Sequence, residues 1–289
     1  MKIYYCVAEH CFSVNIEESD SVIGRMTPYE PFKVDAADAT PPVFELDVVS
    51  ADQFPSMADY EEDMFQDDDG TQISAGHCDG QPCFEFLLNG QRSARMVTNT
   101  TYDHAIVTLE NNRLFGLGNC LMVMYAMATA NRLTALFHAS AIGLKDHAYL
   151  FLGKSGTGKS THSSLWLKHI EGTELMNDDN PIVRMIDNQL WVYGSPWSGK
   201  TPCYRNVKAR LGAIVDLSQA PHNKIRRLKG LQAYAALMPA ISGKRWDSSL
   251  AEGLHEMETL LVRQAPIFHL ECLPDADAAL TCLHEVQTK

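Results

Sequence analysis

The sequence predicts an α/β protein built on a mixed (α+β) sheet, and three observations carry that prediction. Residues 1–110 are rich in short strand-like runs. A helix with apolar residues on nearly every face follows at about 114–133. Then a strand, a glycine turn and a helix come in succession: His147-Ala148-Tyr149-Leu150-Phe151-Leu152, Gly153-Lys154-Ser155-Gly156-Thr157-Gly158-Lys159-Ser160-Thr161, and a helical pattern with Leu165 and Trp166 before His169 and Ile170. The middle stretch fits G-x-x-x-x-G-K-[ST] in the context that pattern requires. The expected division is a β-rich part, 1–112, and a nucleotide-binding part, 113–289.

Composition narrows the function classes. The chain has 289 residues, 45% of them hydrophobic, enough for one large domain or two modest ones. A net charge of −12 argues against a nucleic-acid backbone as the main ligand. No stretch is long and apolar enough to span a membrane. The start, Met1-Lys2-Ile3-Tyr4-Tyr5-Cys6-Val7, reads as a first strand rather than a signal peptide. The eight cysteines form no CxxC, and His10/Cys11 and His77/Cys78 with Cys83 match no zinc spacing. Reduced, buried cysteines in a cytoplasmic protein are the expectation.

Taken in order, strand composition falls at 2–7, 11–16, 43–49, 84–88, 92–97 and 104–109. The acidic stretch 59–70 contains Asp67, Asp68 and Asp69, which are hard oxygen ligands, but it lacks EF-hand spacing and is expected to be a solvated loop. No internal repeat is evident. Beyond the buried helix, 137–144 and the strand entering the glycine turn form a hairpin through Lys145-Asp146. An antiparallel neighbour for that strand implies a mixed sheet. Residues 174–179 are a short strand ending in Asp178-Asp179, and 181–186 with 189–193 form a second hairpin through Asp187-Asn188. A second formal match to the glycine pattern, Gly194-Ser195-Pro196-Trp197-Ser198-Gly199-Lys200-Thr201, is followed by Pro202 and no helical pattern. It reads as a loop able to approach the substrate. A buried strand at 211–217, helical stretches at 228–237 and 248–262, a strand at 267–272 and a helix from about 275 to 286 complete the chain.

The chemistry follows from the residue types. Glycines let successive backbone N–H groups turn toward one anion, and the helix N-terminus adds its positive end. Gly153, Ser155, Gly156, Thr157, Gly158, Lys159, Ser160 and Thr161 are therefore the expected nucleotide-binding residues, joined by Lys200 of the second glycine loop. Lys159 is suited to the β/γ-phosphates and the Ser160 hydroxyl to Mg²⁺. A carboxylate partner for the metal belongs at the end of a following strand, where Asp178 and Asp179 stand. One can hold Mg²⁺ while the other accepts a proton.

The order of Phe137-His138-Ala139-Ser140-Ala141, the glycine loop at 153–161, Asp178-Asp179 and the loop at 194–200 resembles the catalytic domain of HPr serine kinase/phosphorylase and its relatives. The resemblance covers roughly residues 114–275. It implies a phosphoenolpyruvate-carboxykinase-like P-loop domain preceded by a β-rich N-terminal domain. It also implies that His138 sits beside a catalytic aspartate and the transferred phosphate, with Lys159, Asp178 and Asp179 as catalytic residues and Ser160 and Asp178 as metal ligands. ATP and Mg²⁺ are the implied cofactors. The implied acceptor is a hydroxyl of a protein, peptide or small molecule, and HPr kinases are oligomers. The family's glutamate-isoleucine-arginine-glycine signature is absent: the chain reads Asn206-Val207-Lys208-Ala209-Arg210-Leu211-Gly212. Arg205, Arg210, Lys244 and Arg245 are candidate cations for transition-state charge. The competing readings are a nucleotide-binding regulator with little turnover and a carboxykinase acting on a small acid.

Overall fold

The computed structural model describes residues 1–39, 41–199 and 201–288. They divide into two units, Met1–Thr129 and Ala130–Lys289.

The first unit holds β1 (Lys2–Val7), β2 (His10–Asn15), β3 (Lys33–Val34), β4 (Glu45–Val49), β5 (Glu61–Asp68), β6 (Thr71–Cys78), β7 (Gln81–Leu88), β8 (Gln91–Thr98), β9 (His104–Leu109) and helix α1 (Arg113–Thr129). One mixed sheet runs β3-β1-β2-β4-β9-β8-β7-β6-β5, with β4 parallel to both β2 and β9. Its core stacks Phe12 on Phe44, ring centroids 4.8 Å apart. The acidic stretch is not a loop. It is largely strand β5, at the sheet edge, with both faces mostly exposed. Alternation could not reveal it, because neither face is apolar, and a row of carboxylates on an open edge opposes edge-to-edge pairing. The backbone also repeats where the side chains do not. β5 to β8 are eight residues each, joined by Asp69-Gly70, Asp79-Gly80 and Asn89-Gly90. Both residues of each pair have positive φ, the conformation that two-residue hairpin turns demand. Helix α1 lies on this sheet: a Cβ at Gly116 would fall 2.6 Å from the Ser93 carbonyl oxygen. The contact division therefore follows Thr129, whereas the sequence placed it after residue 112, since the helix's small residue is what lets it approach β8.

The second unit contains β10 (Thr134–Leu136), β11 (Ser140–Leu144), β12 (His147–Leu152), α2 (Lys159–His169), β13 (Thr173–Asn177), β14 (Ile182–Ile186), β15 (Gln189–Tyr193), β16 (Lys208–Gln219), β17 (Lys224–Arg227), α3 (Leu231–Leu237), α4 (Ser248–Gln264), β18 (Ile267–Cys272) and α5 (Ala276–Gln287). The sheet order β10-β14-β15-β16-β12-β11-β13, with β18 beside β16 and β17 beside β18, is mixed: β12 has β16 parallel on one side and β11 antiparallel on the other. The hairpins expected through Lys145-Asp146 and Asp187-Asn188 are present. Strand β11 runs against both β12 and β13. Its beginning therefore lies beside the ends of those two strands, which puts residues just before β11, just after β12 and just after β13 at one edge of the sheet.

Helices α2 and α5 bury a shared core on one sheet face, including Phe151, Trp166, Val215, Leu270 and Cys282. All eight cysteines are free, six of them buried. No helix among the described residues is long and apolar enough to cross a membrane.

His162 belongs to this core, with its ring edge-on to Phe151 at 4.7 Å. Burial pushes its pKa down from 6.5 to about 4. The unfolded chain thus binds a proton below about pH 6.5 that the folded chain refuses until about pH 4. The stability associated with this group is complete above pH 6.5 and is lost as pH falls. Denaturant titration should show the second unit weakening by on the order of 2 kcal/mol between pH 7 and pH 5. A His162→Gln variant should show a shallower slope over that interval, and an unchanged slope would remove the assignment.

Candidate active site

The glycine loop is built by backbone conformations that side chains oppose. Gly156 has φ 77° and Gly158, which precedes α2, has φ 113°. From Gly158 the chain enters α2 directly, the His162 N–H donating to the Gly158 carbonyl at 2.8 Å. The Gln219 side chain donates from the end of β16 to the Gly156 and Thr157 carbonyls at 3.3 and 3.4 Å. Ser155, Ser160 and Thr161 are exposed, and Gly153, Thr157 and Gly158 are half-buried. Lys159 is different: only 9% of it is exposed.

Its ammonium donates to the Gly153 carbonyl at 2.8 Å and to His138 Nε2 at 2.9 Å. An ammonium can only donate, so His138 carries its proton on Nδ1. That nitrogen lies 3.3 Å from Asp179 Oδ1. A continuous polar chain thus runs from Lys159 through His138 to Asp179, joining the residues at the sheet edge that the strand order predicts. Burial raises the Asp179 pKa above 3.8, against the opposing pull of His138 and Lys159 and with a further push from Asp178. The other Asp179 oxygen accepts from Asn180 Nδ2 at 2.8 Å.

Asp178 occupies a different environment. It is buried, its Oδ2 accepting from the Thr201 N–H at 3.1 Å and its Oδ1 from Ser140 Oγ at 3.4 Å. Ser140 in turn lies 2.6 Å from Ser163 Oγ on α2. Ser163 is four residues beyond Lys159 and so shares its helix face.

The acidic pair is held by a residue the sequence reading passed over. Asn177 is fully buried. Its Oδ1 accepts from the Asp179 and Asn180 N–H groups at 2.9 and 2.7 Å. Its Nδ2 donates to the Trp197 carbonyl at 3.0 Å and reaches Ser195 Oγ at 3.1 Å. The second glycine loop therefore packs on the acidic pair, and a Cβ on Gly199 would come 3.1 Å from Asp179 Cβ. No helix follows the loop among the described residues, as its sequence suggested. Lys200 lies outside the described residues. The only advance sign of Asn177 was its place immediately before two acids at a strand end, where an asparagine caps a turn.

The candidate cations have structural partners. Arg205 donates to the Leu175 carbonyl at 2.7 Å and pairs with Glu174 at 2.8 Å, Arg210 lies over the Trp191 ring, and Arg245 pairs with buried Glu258 at 2.6 Å. Lys244 is buried near Trp246. Among the described residues no group of three or more His, Cys, Asp or Glu could hold a metal unaided.

Asn177→Ala removes one acceptor and two donors from a closed interior. Each stranded buried group costs about 1–3 kcal/mol, so denaturant melts should show a loss on the order of 3 kcal/mol. The exposed Asn111→Ala should change stability by less than about 0.5 kcal/mol. Equal effects from the two would mean that Asn177 is not a clamp.

No family model matches the chain, and a search of curated proteins finds no similar sequence. Among solved structures, the Hpr(Ser) kinase/phosphatase from Coxiella burnetii aligns over 53% of this chain and 93% of that chain, with 13% identity and a TM-score of 0.31. That likeness is too slight to carry an argument about this chain, and the site has to be read from its own geometry.

Proposed function

We propose that the second unit is a nucleotide-dependent phosphotransferase that moves a γ-phosphate from ATP to a hydroxyl of a protein, peptide or small molecule. The observation that carries this reading is the chain Lys159–His138–Asp179, which connects a phosphate-type glycine loop to a carboxylate of raised pKa. A loop alone binds phosphate. A loop wired to a base can also activate a nucleophile.

The backbone N–H groups of 153–158 and the N-terminus of α2 bind the phosphates. Lys159, released from the Gly153 carbonyl, orients them and offsets charge. Asp179 takes the proton of the incoming hydroxyl while His138 holds the carboxylate in place. The hydroxyl oxygen bonds to the γ-phosphorus as the bond to the β-phosphate oxygen breaks, and ADP leaves. The donor set suits Mg²⁺, which is commonly held by one or two carboxylates together with substrate phosphates rather than by a full protein cage. Asp178 and the exposed Ser160 hydroxyl would hold it, and when bound it supplies neutralisation of phosphate charge.

Incubation with γ-labelled ATP and candidate acceptors (free serine, small carrier proteins, a cell extract) tests the reading. Lys159→Ala should weaken nucleotide binding on the order of 10²-fold. Asp179→Asn should keep nucleotide affinity and lower transfer by roughly 10²- to 10⁴-fold. Full transfer by Asp179→Asn would end its role as base. Bound nucleotide with neither label transfer nor consumption would instead favour a regulator.

The base must be ionised to accept a proton, so kcat/KM should fall on acidification. Because burial raises the Asp179 pKa above 3.8, the midpoint of that fall should lie above the ordinary carboxylate value. A profile flat down to pH 4 would contradict the assignment.

A further inference from the structure

A second histidine gathers polar groups on the sheet of this unit, away from the chain Lys159–His138–Asp179. Val215 and Leu217 of β16 and Phe268 and Leu270 of β18 face the core under α2 and α5. Strand side chains alternate, so Asp216, Ser218 and His269 point to the opposite face of the sheet. Asp216 and His269 are partners in the parallel register, and Ser218 lies two residues further along β16. The His269 ring can therefore reach both. Its Nδ1 is 2.9 Å from Asp216 Oδ2, and its Nε2 is 3.1 Å from Ser218 Oγ. A carboxylate can only accept, so Nδ1 carries the ring proton and Nε2 accepts from the Ser218 hydroxyl. All three residues are half-buried.

Hydroxyl, imidazole and carboxylate in this order are what turns a serine into a nucleophile. The imidazole can take the proton from Ser218 Oγ, while Asp216 holds the required tautomer and faces the imidazolium that results. The location also suits a ligand. Asp216 is in register with Leu152, the residue before the glycine loop, and open α/β sheets bind ligands outside the carboxyl ends of their strands. On β17, Arg226 is the register partner of His269, and directly opposed residues of an antiparallel pair share a face. The exposed Arg226 guanidinium also reaches Gln232 Oε1 at 3.3 Å. Glu271 lies on the same face, with its charge met by His222 at 3.6 Å and Lys224 as its partner on β17. A cation beside the imidazole suits an acyl group that carries its own negative charge.

We propose that Ser218, His269 and Asp216 form a second catalytic site, which cleaves carboxylic esters with an anionic acyl group. Ser218 Oγ attacks the carbonyl carbon as its proton passes to His269 Nε2. The tetrahedral adduct collapses, the bond from the carbonyl carbon to the alcohol oxygen breaks, and the alcohol leaves with that proton. Water then gives a proton to the same Nε2 and attacks the acyl-serine. Release of the carboxylic acid restores the Ser218 hydroxyl. The cycle uses water alone as co-reactant, so the proposal stands whether or not this unit transfers phosphate.

Hydrolysis of mono-p-nitrophenyl succinate and of p-nitrophenyl acetate by the full chain, together with fluorophosphonate labelling, tests the site. The expected result is turnover above buffer, with the succinate ester preferred about tenfold, and a label that peptide mass spectrometry places on Ser218. Ser218→Ala should abolish the label and lower hydrolysis roughly 10²- to 10⁴-fold. Ser50→Ala, at an exposed position in the first unit, should change neither. His269→Gln can still hydrogen-bond within the cluster but cannot take up a proton. A merely structural cluster would tolerate it, whereas the proposal requires hydrolysis to fall as far as in Ser218→Ala with Tm within about 2 °C of the unmodified chain. Arg226→Gln should erase the preference for the succinate ester. Absence of both turnover and label would overturn the site, as would turnover that Ser218→Ala or His269→Gln leaves intact. Equal use of the two esters by the unmodified chain would overturn the anionic acyl group.

Discussion

A buried ammonium is the constraint around which the second unit is arranged. Lys159 opens α2 with 9% of its surface exposed, and a cation taken out of water needs close acceptors and a nearby negative charge. The Gly153 carbonyl and His138 Nε2 are the acceptors, and Asp179 is the charge, one imidazole away. Three chain segments have to meet for that to happen. They meet because β11 is antiparallel to both neighbours, which gathers its start and the ends of β12 and β13 at one edge. A purely parallel sheet would place the residue before the β11 strand at the far edge, and Lys159 would lose its link to the carboxylate.

Such a chain is useful only if its far end does not move. Asp179 follows a strand by two residues and would otherwise be loop. Asn177 prevents that by accepting from two successive N–H groups while its amide nitrogen engages the loop that carries Ser195 and Trp197. Ser140 and Ser163 brace the opposite side of the acidic pair through Asp178. The groups closest to the proposed chemistry are thus held in place by neutral hydrogen bonds in addition to the His138 ring.

What could be read from the sequence was what depends on local pattern. The glycine loop, the hairpins at Lys145-Asp146 and Asp187-Asn188 and the strand at 267–272 are set by turn residues and apolar runs, and they appear in the structure where expected. Strand β5 escaped because an exposed edge strand has no buried face to give alternation. The three Asp-Gly and Asn-Gly turns at ten-residue spacing were the available signal for it. Asn177 and Ser163 escaped for another reason. Their roles are tertiary: Ser163 acts through Ser140, 23 residues earlier, and Asn177 through Trp197, 20 residues later. Sequence spacing can place a residue on a helix face or at a strand end, but not its partner across the fold.

The sequence left open which of two adjacent aspartates would act as base, and their surroundings separate them. Asp178 has each oxygen facing a neutral donor, the Thr201 N–H and the Ser140 hydroxyl. Asp179 is desolvated and also feels the negative charge of Asp178, and these raise its proton affinity against the pull of His138 and Lys159. Asp179 is thus a carboxylate whose proton affinity is raised, and this is what the proposed role as base rests on, with Asp178 left to the proposed metal. His138 works against that raise, and because its Nδ1 proton points at Asp179 and its Nε2 at Lys159, the position of the Lys159 ammonium and the proton affinity of the proposed base are linked through one ring.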